Sequence, residues 1–309
     1  MTQAPMRPVG HRDAERPELS VIVPHYDDLQ GLDRCLEALA TQTFSGGFEI
    51  IVADNGSPQG AAAIEAVVGA RARLAVVPEK GAGPARNGGA AAARGAVLAF
   101  TDSDCVPDAR WLEAGLAALS DCDFVGGAMR VLVEQPDRMT PVEAFETVFA
   151  FDNQSYVERK GFTVTANLFC PREVFDQVGG FRVGVSEDLD WSHRAREAGL
   201  MIGYAPGAVV GHPARRTWRE LRDKWRRLSA ETYGLYRTRR AGRPIWLIRS
   251  LALPLSALAH TGKVLTSRRL SSWAQRAGAL VTLYRLRWWR MADALRLLAA
   301  DLRRGGGWR

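Results

Sequence analysis

Apolar residues in the first hundred positions fall alternately into short continuous runs and into stretches with helical spacing. Leu19-Ser-Val-Ile-Val23 is a β-branched run stopped by Pro24, and Phe48-Glu-Ile-Ile-Val-Ala53 and residues 73–77 and 96–101 are further runs of strand length. Between them, Leu29–Ala40 places Leu32, Leu36 and Leu39 at helical intervals, Ala61–Val68 reads as helix, and residues 84–94 read as an alanine-rich helix. This alternation predicts an α/β domain with a mostly parallel sheet. Ligands of such sheets sit beyond the C-terminal ends of the strands, and Asp54 and Asp102 each fall at one of those ends.

The pattern is less regular over residues 125–205, where helices are predicted near 141–150, 171–178 and 187–198. A closing strand at 203–210 is followed by His212. Beyond Pro213, Trp218, Leu221, Trp225, Leu228, Thr232 and Leu235 repeat at spacings of three and four, with Arg219, Arg222, Arg226 and Arg227 in the gaps. Trp273, Ala277, Leu280, Tyr284, Trp288, Met291 and Leu295 form a second such stripe, so two basic amphipathic helices are predicted. The expected organisation is a flexible lead-in over 1–18, an α/β domain over 19–212 and a basic, Trp-rich helical tail over 213–309.

Charge sharpens this division. The net +7 of the 309 residues hides 18 basic against 29 acidic residues up to His212, and 23 basic against 5 acidic ones after it. A tail of net charge +18 suits a polyanion, either nucleic acid or the anionic face of a membrane. Its tryptophans suit a headgroup region, and no zinc or RNA-binding motif accompanies its arginines. The best apolar run, 251–259, is interrupted by Pro254 and bracketed by Arg249 and His260, and is shorter than the ~20 residues a spanning helix needs. The first residues lack the apolar centre of a secretory signal. Four cysteines without a Cys-x-x-Cys pair point to a reducing compartment. A hydrophobic content of 47% excludes a disordered chain.

The sharpest local chemistry is Asp102-Ser103-Asp104. Two carboxylates one residue apart, on a turn after a buried strand, can converge on a hard divalent cation such as Mg²⁺ or Mn²⁺. The same pair could instead be a solvated turn capping a helix near Pro107. No Gly-x-Ser-x-Gly or Cys/His arrangement suggests a protein nucleophile.

Taken in order, Val21-Ile-Val-Pro-His-Tyr-Asp27, Val52-Ala-Asp-Asn-Gly-Ser57, Gly81-Ala-Gly-Pro-Ala-Arg-Asn-Gly-Gly89, Phe100-Thr-Asp-Ser-Asp104, Gly179-Gly-Phe181 and Ser186-Glu-Asp-Leu-Asp-Trp191 resemble glycosyltransferase family 2 over about residues 19–212. The resemblance implies the GT-A fold and an inverting transfer of one sugar from a nucleotide-diphosphate sugar, with a UDP-sugar favoured. It implies that Pro24 and Tyr26 approach the nucleotide base, that Asp54 contacts base or ribose, and that Arg86 lines the nucleotide pocket. It makes Asp102 the ribose- and metal-proximal carboxylate, Asp104 the direct ligand of Mn²⁺ or Mg²⁺, and His212 a further metal ligand. Asp188 is implied as the base that deprotonates the acceptor hydroxyl.

Bland alternatives stand beside these roles. Asp54 is also placed to cap the Asn55-Gly56 turn, Glu187 and Asp188 also favour the start of a helix, and His25 and His212 also suit strand-end packing. Glu187 is an alternative base, and Asp190 reads as structural. The polymerising branch of the family carries spanning helices and a Gln-x-x-Arg-Trp motif; Leu221-Arg-Asp-Lys-Trp225 lacks that Gln and Arg, which favours single-sugar addition. The expected acceptor is a glycan or lipid-linked precursor, handled at the cytoplasmic, inner face of the cell membrane. The competing expectation is a nucleic-acid-binding or scaffold protein whose α/β domain binds sugar nucleotide without catalysis.

Overall fold

The computed structural model describes residues 17–305; most of the expected lead-in, residues 1–16, lies outside them. In chain order the elements are β1 (Leu19–His25), α1 (Leu29–Ala40), β2 (Phe48–Asp54), α2 (Ala61–Val68), β3 (Arg73–Val76), α3 (Ala82–Ala92), β4 (Val97–Phe100) and the short β5 (Val106–Pro107). Then come α4 (Trp111–Ala118), β6 (Phe124–Leu132), α5 (Pro141–Phe149), α6 (Asn153–Ser155), β7 (Leu168–Pro171), α7 (Arg172–Val178), α8 (Glu187–Glu197) and β8 (Ile202–Pro213). The chain ends in α9 (Trp218–Arg237), α10 (Gly242–Leu251), α11 (Leu253–Leu265) and α12 (Trp273–Arg303).

The predicted alternation is present, and the strands join in one sheet of order β3-β2-β1-β4-β7-β6-β8-β5. β1 pairs in parallel with β2 on one side and β4 on the other, with Ile22 opposite Ile51 and Phe100. The chain steps outward through β2 and β3, then returns across β1 to lay down β4. That reversal makes the C-terminal ends of β1 and β4 a topological switch point, the place where open α/β sheets bind ligands. From β4 onward the pairing becomes antiparallel, β4 with β7 and β7 with β6. Neither β6 nor β7 was predicted. Gly126 and Gly127 interrupt the apolar alternation of β6, and β7 is only four residues long.

Local chemistry explains how the helices meet the sheet. α1 buries the predicted stripe of Leu32, Leu36 and Leu39, and Cys35 beside it, and each full leucine burial is worth ~1.5–3 kcal/mol. Asp28 caps it by accepting from Gly31 N at 2.8 Å, a bond worth ~1 kcal/mol. α3 lies close against β1 and β2. A Cβ at Gly89 would strike Ile22 and Ala53, so only glycine lets the helix that opens the site approach the strands so closely. Beneath it, Phe100, Phe175, Phe181 and Trp191 pack as a cluster of aromatic rings, with centroids 5.4–6.0 Å apart.

Two compact units are distinguished. One comprises the chain up to Ala128 with Gln154–Phe181 and Trp191–Val210. The other comprises Met129–Asn153, Arg182–Asp190 and the chain from Gly211 onward. The second unit is helical and has its own core: Val142, Phe145 and Val148 of α5 pack with Leu221 of α9, Ala257 and Val264 of α11, and Ala279, Leu283 and Leu286 of α12. α9 begins with a capping box between Thr217 and Glu220.

The buried face of α12 differs from the predicted stripe. Trp273 and Trp288 are 75% and 57% exposed, whereas Ala279, Thr282, Leu283 and Leu286 face inward. The reason is close approach to α5. A Cβ on Gly278 would come within 3.1 Å of Pro141, and Thr282 Oγ1 donates to Pro141 O at 3.0 Å. Small residues, not indoles, fit that seam.

A buried ion cluster ties α5 to the start of the tail. Glu146, 1% exposed, accepts from Arg215 N at 2.8 Å and from Lys224 Nζ at 3.2 Å. Burial alone would raise its pKa, but Lys224 and Arg215 hold the carboxyl below the usual range. Burial also draws the Lys224 ammonium down despite Glu146, and Arg215 beside it adds to this. A carboxyl lowered on folding stabilises the fold above its unfolded pKa of ~4.3, and that stability is lost as pH falls through the folded value. Glu146→Gln leaves two cations uncompensated and is expected to cost about 3–5 kcal/mol in denaturant unfolding at neutral pH. Its deficit against wild type should narrow below about pH 4; an equal deficit at both pH values would contradict the ionic origin.

Candidate functional site

The switch point collects most of the predicted residues. β4 delivers Thr101, after which the chain turns, closed by Cys105 N–H donating to Asp102 O at 3.0 Å. The turn gathers the Asp102 and Asp104 carboxylates and the Cys105 thiol so that their ligand atoms lie within 4.8 Å of one another. No other such group occurs among the described residues. Both carboxylates are half-buried, while Cys105 is fully buried. Burial, with the charges of Asp102 and Asp104, pushes the Cys105 thiol well up. The donor set is therefore two carboxylate oxygens beside a neutral thiol, which suits a hard oxygen-seeking cation. The helix near Pro107 starts only at Trp111, so the pair does not cap it.

Arg86 comes from the first turns of α3. It is 3% exposed, and its Nη2 donates to Asp102 Oδ1. A cation near a helix N-terminus is disfavoured by the dipole; here it is held beside a carboxylate at the mouth of the parallel strands.

The end of β1 meets the end of β2. Pro24 lies in register with Ala53 and is buried, while Tyr26, one residue beyond the strand, is 56% exposed. Asp54 is 3% exposed, and its four hydrogen bonds stay inside the protein. Oδ1 meets His25 Nδ1 at 3.0 Å and accepts from Ser57 Oγ at 2.5 Å; Oδ2 accepts from Gly56 N and Ser57 N, both at 3.1 Å. Burial opposes ionisation, but Ser57 and His25 hold the carboxyl below the usual range. Asp54 thus caps its own turn, the alternative open from the sequence, and positions His25, whose buried Nε2 has no partner among the described residues.

Two residues of the quoted motifs do more than expected. Asn55 Oδ1 accepts from Gly81 N at 2.6 Å, and its Nδ2 donates to Val77 O at 3.2 Å, so one side chain pins the loop entering α3. Asn87 exchanges two bonds with the backbone of Phe181, at 2.9 and 2.8 Å. Both sat inside recognised motifs, but an amide reads from sequence only as a turn or surface residue.

The remaining predicted residues belong to the helical unit. Asp188, half-buried in the first turn of α8, accepts from Ser186 Oγ at 2.7 Å and Leu189 N at 2.8 Å. Asp190 lies 3.6 Å from Arg182, in keeping with its structural reading. Burial, reinforced by Glu187 and Asp188 against the pull of Arg227, pushes the Glu231 carboxyl of α9 up. Glu231 is therefore an acidic neighbour of α8 that no local motif announced. His212 Nδ1 is 2.8 Å from Pro213 O, and its ring packs 5.1 Å from Phe151. It is not in the carboxylate group found at the switch point.

Comparisons with known proteins bear on the family and the fold. The family model described as "Glycosyl transferase family 2" matches residues 20–190. The glycosyltransferase AglE of Haloferax volcanii is 33% identical over 208 residues, which is 64% of this chain and 68% of that one. The pre-mycofactocin glycosyltransferase of Mycobacterium tuberculosis is 32% identical over 234 residues, 71% of this chain and 46% of its own. Among solved structures, the mannosyltransferase PcManGT of Pyrobaculum calidifontis, in complex with GDP-Man and Mn²⁺, superposes with a TM-score of 0.52 at 18% identity, covering 93% of this chain and 76% of that one.

Proposed function

This chain belongs to glycosyltransferase family 2 and has the GT-A fold, and on that premise we propose that it moves one sugar, with inversion, from a nucleoside-diphosphate sugar to an acceptor hydroxyl. The observation that carries the reading is the convergence of Asp102 and Asp104 beside buried Arg86 at the switch point. Asp104 and Asp102 would hold a divalent cation, Mn²⁺ or Mg²⁺, with His212 as a candidate further ligand. Held there, such a cation would neutralise charge on the departing diphosphate.

In this reading the exposed Tyr26 ring and the backbone at Pro24 receive the nucleotide base, and Arg86 faces donor phosphate or ribose. Asp54 acts chiefly by fixing His25 and the 55–57 turn; a direct contact to the nucleotide would exchange one of its present bonds. UDP-sugars remain the favoured donors, and a panel of nucleoside diphosphates tests that preference by thermal shift. Asp188 takes the proton of the acceptor hydroxyl as its oxygen bonds to the anomeric carbon. The bond from that carbon to diphosphate breaks, and the electron pair leaves with the phosphate.

The acceptor is proposed to be a lipid-linked or surface-glycan precursor met at an anionic membrane face. Two features of the helical unit support this. Ile245, Ile248 and Leu251 of α10 and Leu255 and Leu258 of α11 are all exposed large apolar side chains. They accompany a tail of 23 basic and 5 acidic residues. No described helix is long and apolar enough to cross a membrane, so the ridge fits shallow insertion at the interface. The full chain is expected to co-sediment with vesicles containing anionic lipid and to prefer them to duplex DNA at about 0.1 M salt. Leu255→Asp with Leu258→Asp should weaken vesicle binding at least roughly tenfold. A preference for DNA would reverse the assignment of the tail.

A further inference from the structure

The helical unit contains a second charged site unrelated to the carboxylate pair. Arg290 of α12 lays its guanidinium over the Trp225 ring of α9, 3.7 Å from the ring centroid, and its buried Nε has no hydrogen-bond acceptor among the described residues. One turn earlier, Arg287 Nε is buried in the same condition. Arg290 borders a cavity of about 100 Å³ shared with Ser229 and Thr232 of α9, Trp246, Arg249 and Ser250 of α10. A single water needs only ~10–15 Å³ on this measure, so several water-sized groups fit.

The chemistry of the lining is one-sided. No carboxylate among the described residues borders the cavity. Asp293, one turn beyond Arg290, pairs through Oδ1 with Arg296 at 2.9 Å while its buried Oδ2 has no partner among the described residues, and Asp301 is engaged by Arg243 and Tyr233, both at 2.8 Å. The hydroxyls of Thr232 and Ser250 donate to their own helices, at Leu228 O and Trp246 O, both at 2.7 Å, which leaves Ser229 as the hydroxyl donor. Burial, with Arg287 and Arg249 adding like charge, draws the Arg290 guanidinium down to about 9. An arginine does not shed its proton to relieve such strain; an anion does so by pairing with it. Guanidinium forks match phosphate oxygens, and a stacked arginine presents its edge in a fixed direction.

We propose that this cavity is a phosphate-binding site, in which Arg290, Arg249 and Ser229 receive a phosphate monoester or diphosphate. The bearer is assigned from the surroundings. α10 supplies both Arg249 and Ser250 and also carries Ile248 and Leu251 of the exposed apolar ridge. Trp246 and Ser250 face inward on this helix, whereas Arg249 is exposed next to Ile248, so a phosphate borne by a lipid would meet the cavity at Arg249. The site rests on residues of the helical unit alone and does not depend on the sugar-transfer reading; only its lipid bearer leans on the membrane reading.

The test uses the full chain with divalent cations chelated, in wild type and in an Asp104→Asn background, so that binding at the carboxylate pair does not contribute. The probes are inorganic pyrophosphate, vesicles containing phosphatidic acid, and vesicles matched in surface charge with phosphatidylglycerol, whose phosphate is a diester. Wild type should bind pyrophosphate saturably and prefer phosphatidic acid to the diester lipid. Arg249→Gln, at an exposed position that should fold normally, and Arg290→Lys, which keeps the charge but loses the fork, should each weaken both by roughly tenfold or more. If pyrophosphate binding falls in the variants and no lipid preference exists, the site is confirmed with a soluble phosphate as its bearer. Unchanged affinity for every probe in Arg249→Gln, or no pyrophosphate binding by wild type, would overturn the proposal.

Discussion

Asp104→Asn is expected to abolish the metal-dependent stabilisation of this chain by its nucleoside diphosphate and to lower sugar transfer by about 10³-fold or more. Asparagine keeps the size of the side chain and one oxygen but removes the charge that a hard cation requires. Asp102, one of whose oxygens already accepts from Arg86, would be left as the single charged ligand of the pair and does not restore the lost charge. Thermal shift with and without Mn²⁺ or Mg²⁺ reads the binding half of this expectation. The metal-free melting temperature should barely move, which separates ligand loss from misfolding. His212→Ala belongs in the same experiment: weaker metal affinity supports the third ligand, whereas unchanged affinity with a lower melting temperature assigns the ring to packing against Phe151. Metal-independent nucleotide binding that survives Asp104→Asn would remove the basis of the proposed donor site.

Asp188→Asn should have an effect of similar size by a different route. Removing a general base costs ~10²–10⁴-fold in rate. Donor affinity should remain nearly intact, since Asp188 is bonded to Ser186 and Leu189 and not to the switch-point residues named for the donor. The split is measured as transfer rate against nucleotide affinity on the same preparation. Glu187→Gln serves as the companion: a greater loss of rate there would move the proton-accepting role one residue along α8. Parallel loss of rate and donor affinity in Asp188→Asn would rule out the base assignment.

How much of this could be read from the sequence depended on how local the information was. β1 to β4 and the acids at their ends were legible because each strand is a continuous apolar run and each acid follows within a residue or two. The dual reading of Asp54 was legible for the same reason, since the residues that fill its oxygens, Gly56 and Ser57, are its neighbours. β6 and β7 escaped because glycines break the alternation and because their pairing is long-range, joining Val125 to Phe169. The face of α12 was misjudged because indoles dominate any apolar pattern, whereas the seam with α5 selects residues small enough to let two backbones approach. Arg249, Arg290 and Ser229 lie on three helices, and nothing in the chain's one-dimensional order brings them together. Glu231, likewise, becomes a neighbour of Glu187 and Asp188 only through tertiary packing.

The seam between α5 and α12 has a consequence for biogenesis. Pro141 and its hydrogen-bond donor Thr282 are 141 residues apart. At ribosomal speeds of ~5–20 residues per second, α5 emerges roughly 7–28 s before the helix that covers it. Throughout that interval Val142, Phe145 and Val148 lack the α12 residues that complete their burial, and for its earlier part those of α9 and α11 as well. The nascent chain therefore carries an incompletely covered apolar helix until the last thirty or so residues are made, and a chain stopped near residue 212 would carry it uncovered. Such a product is expected to be a substrate for chaperones and proteases rather than a minimal catalytic domain, since the tail supplies the residues that cover α5.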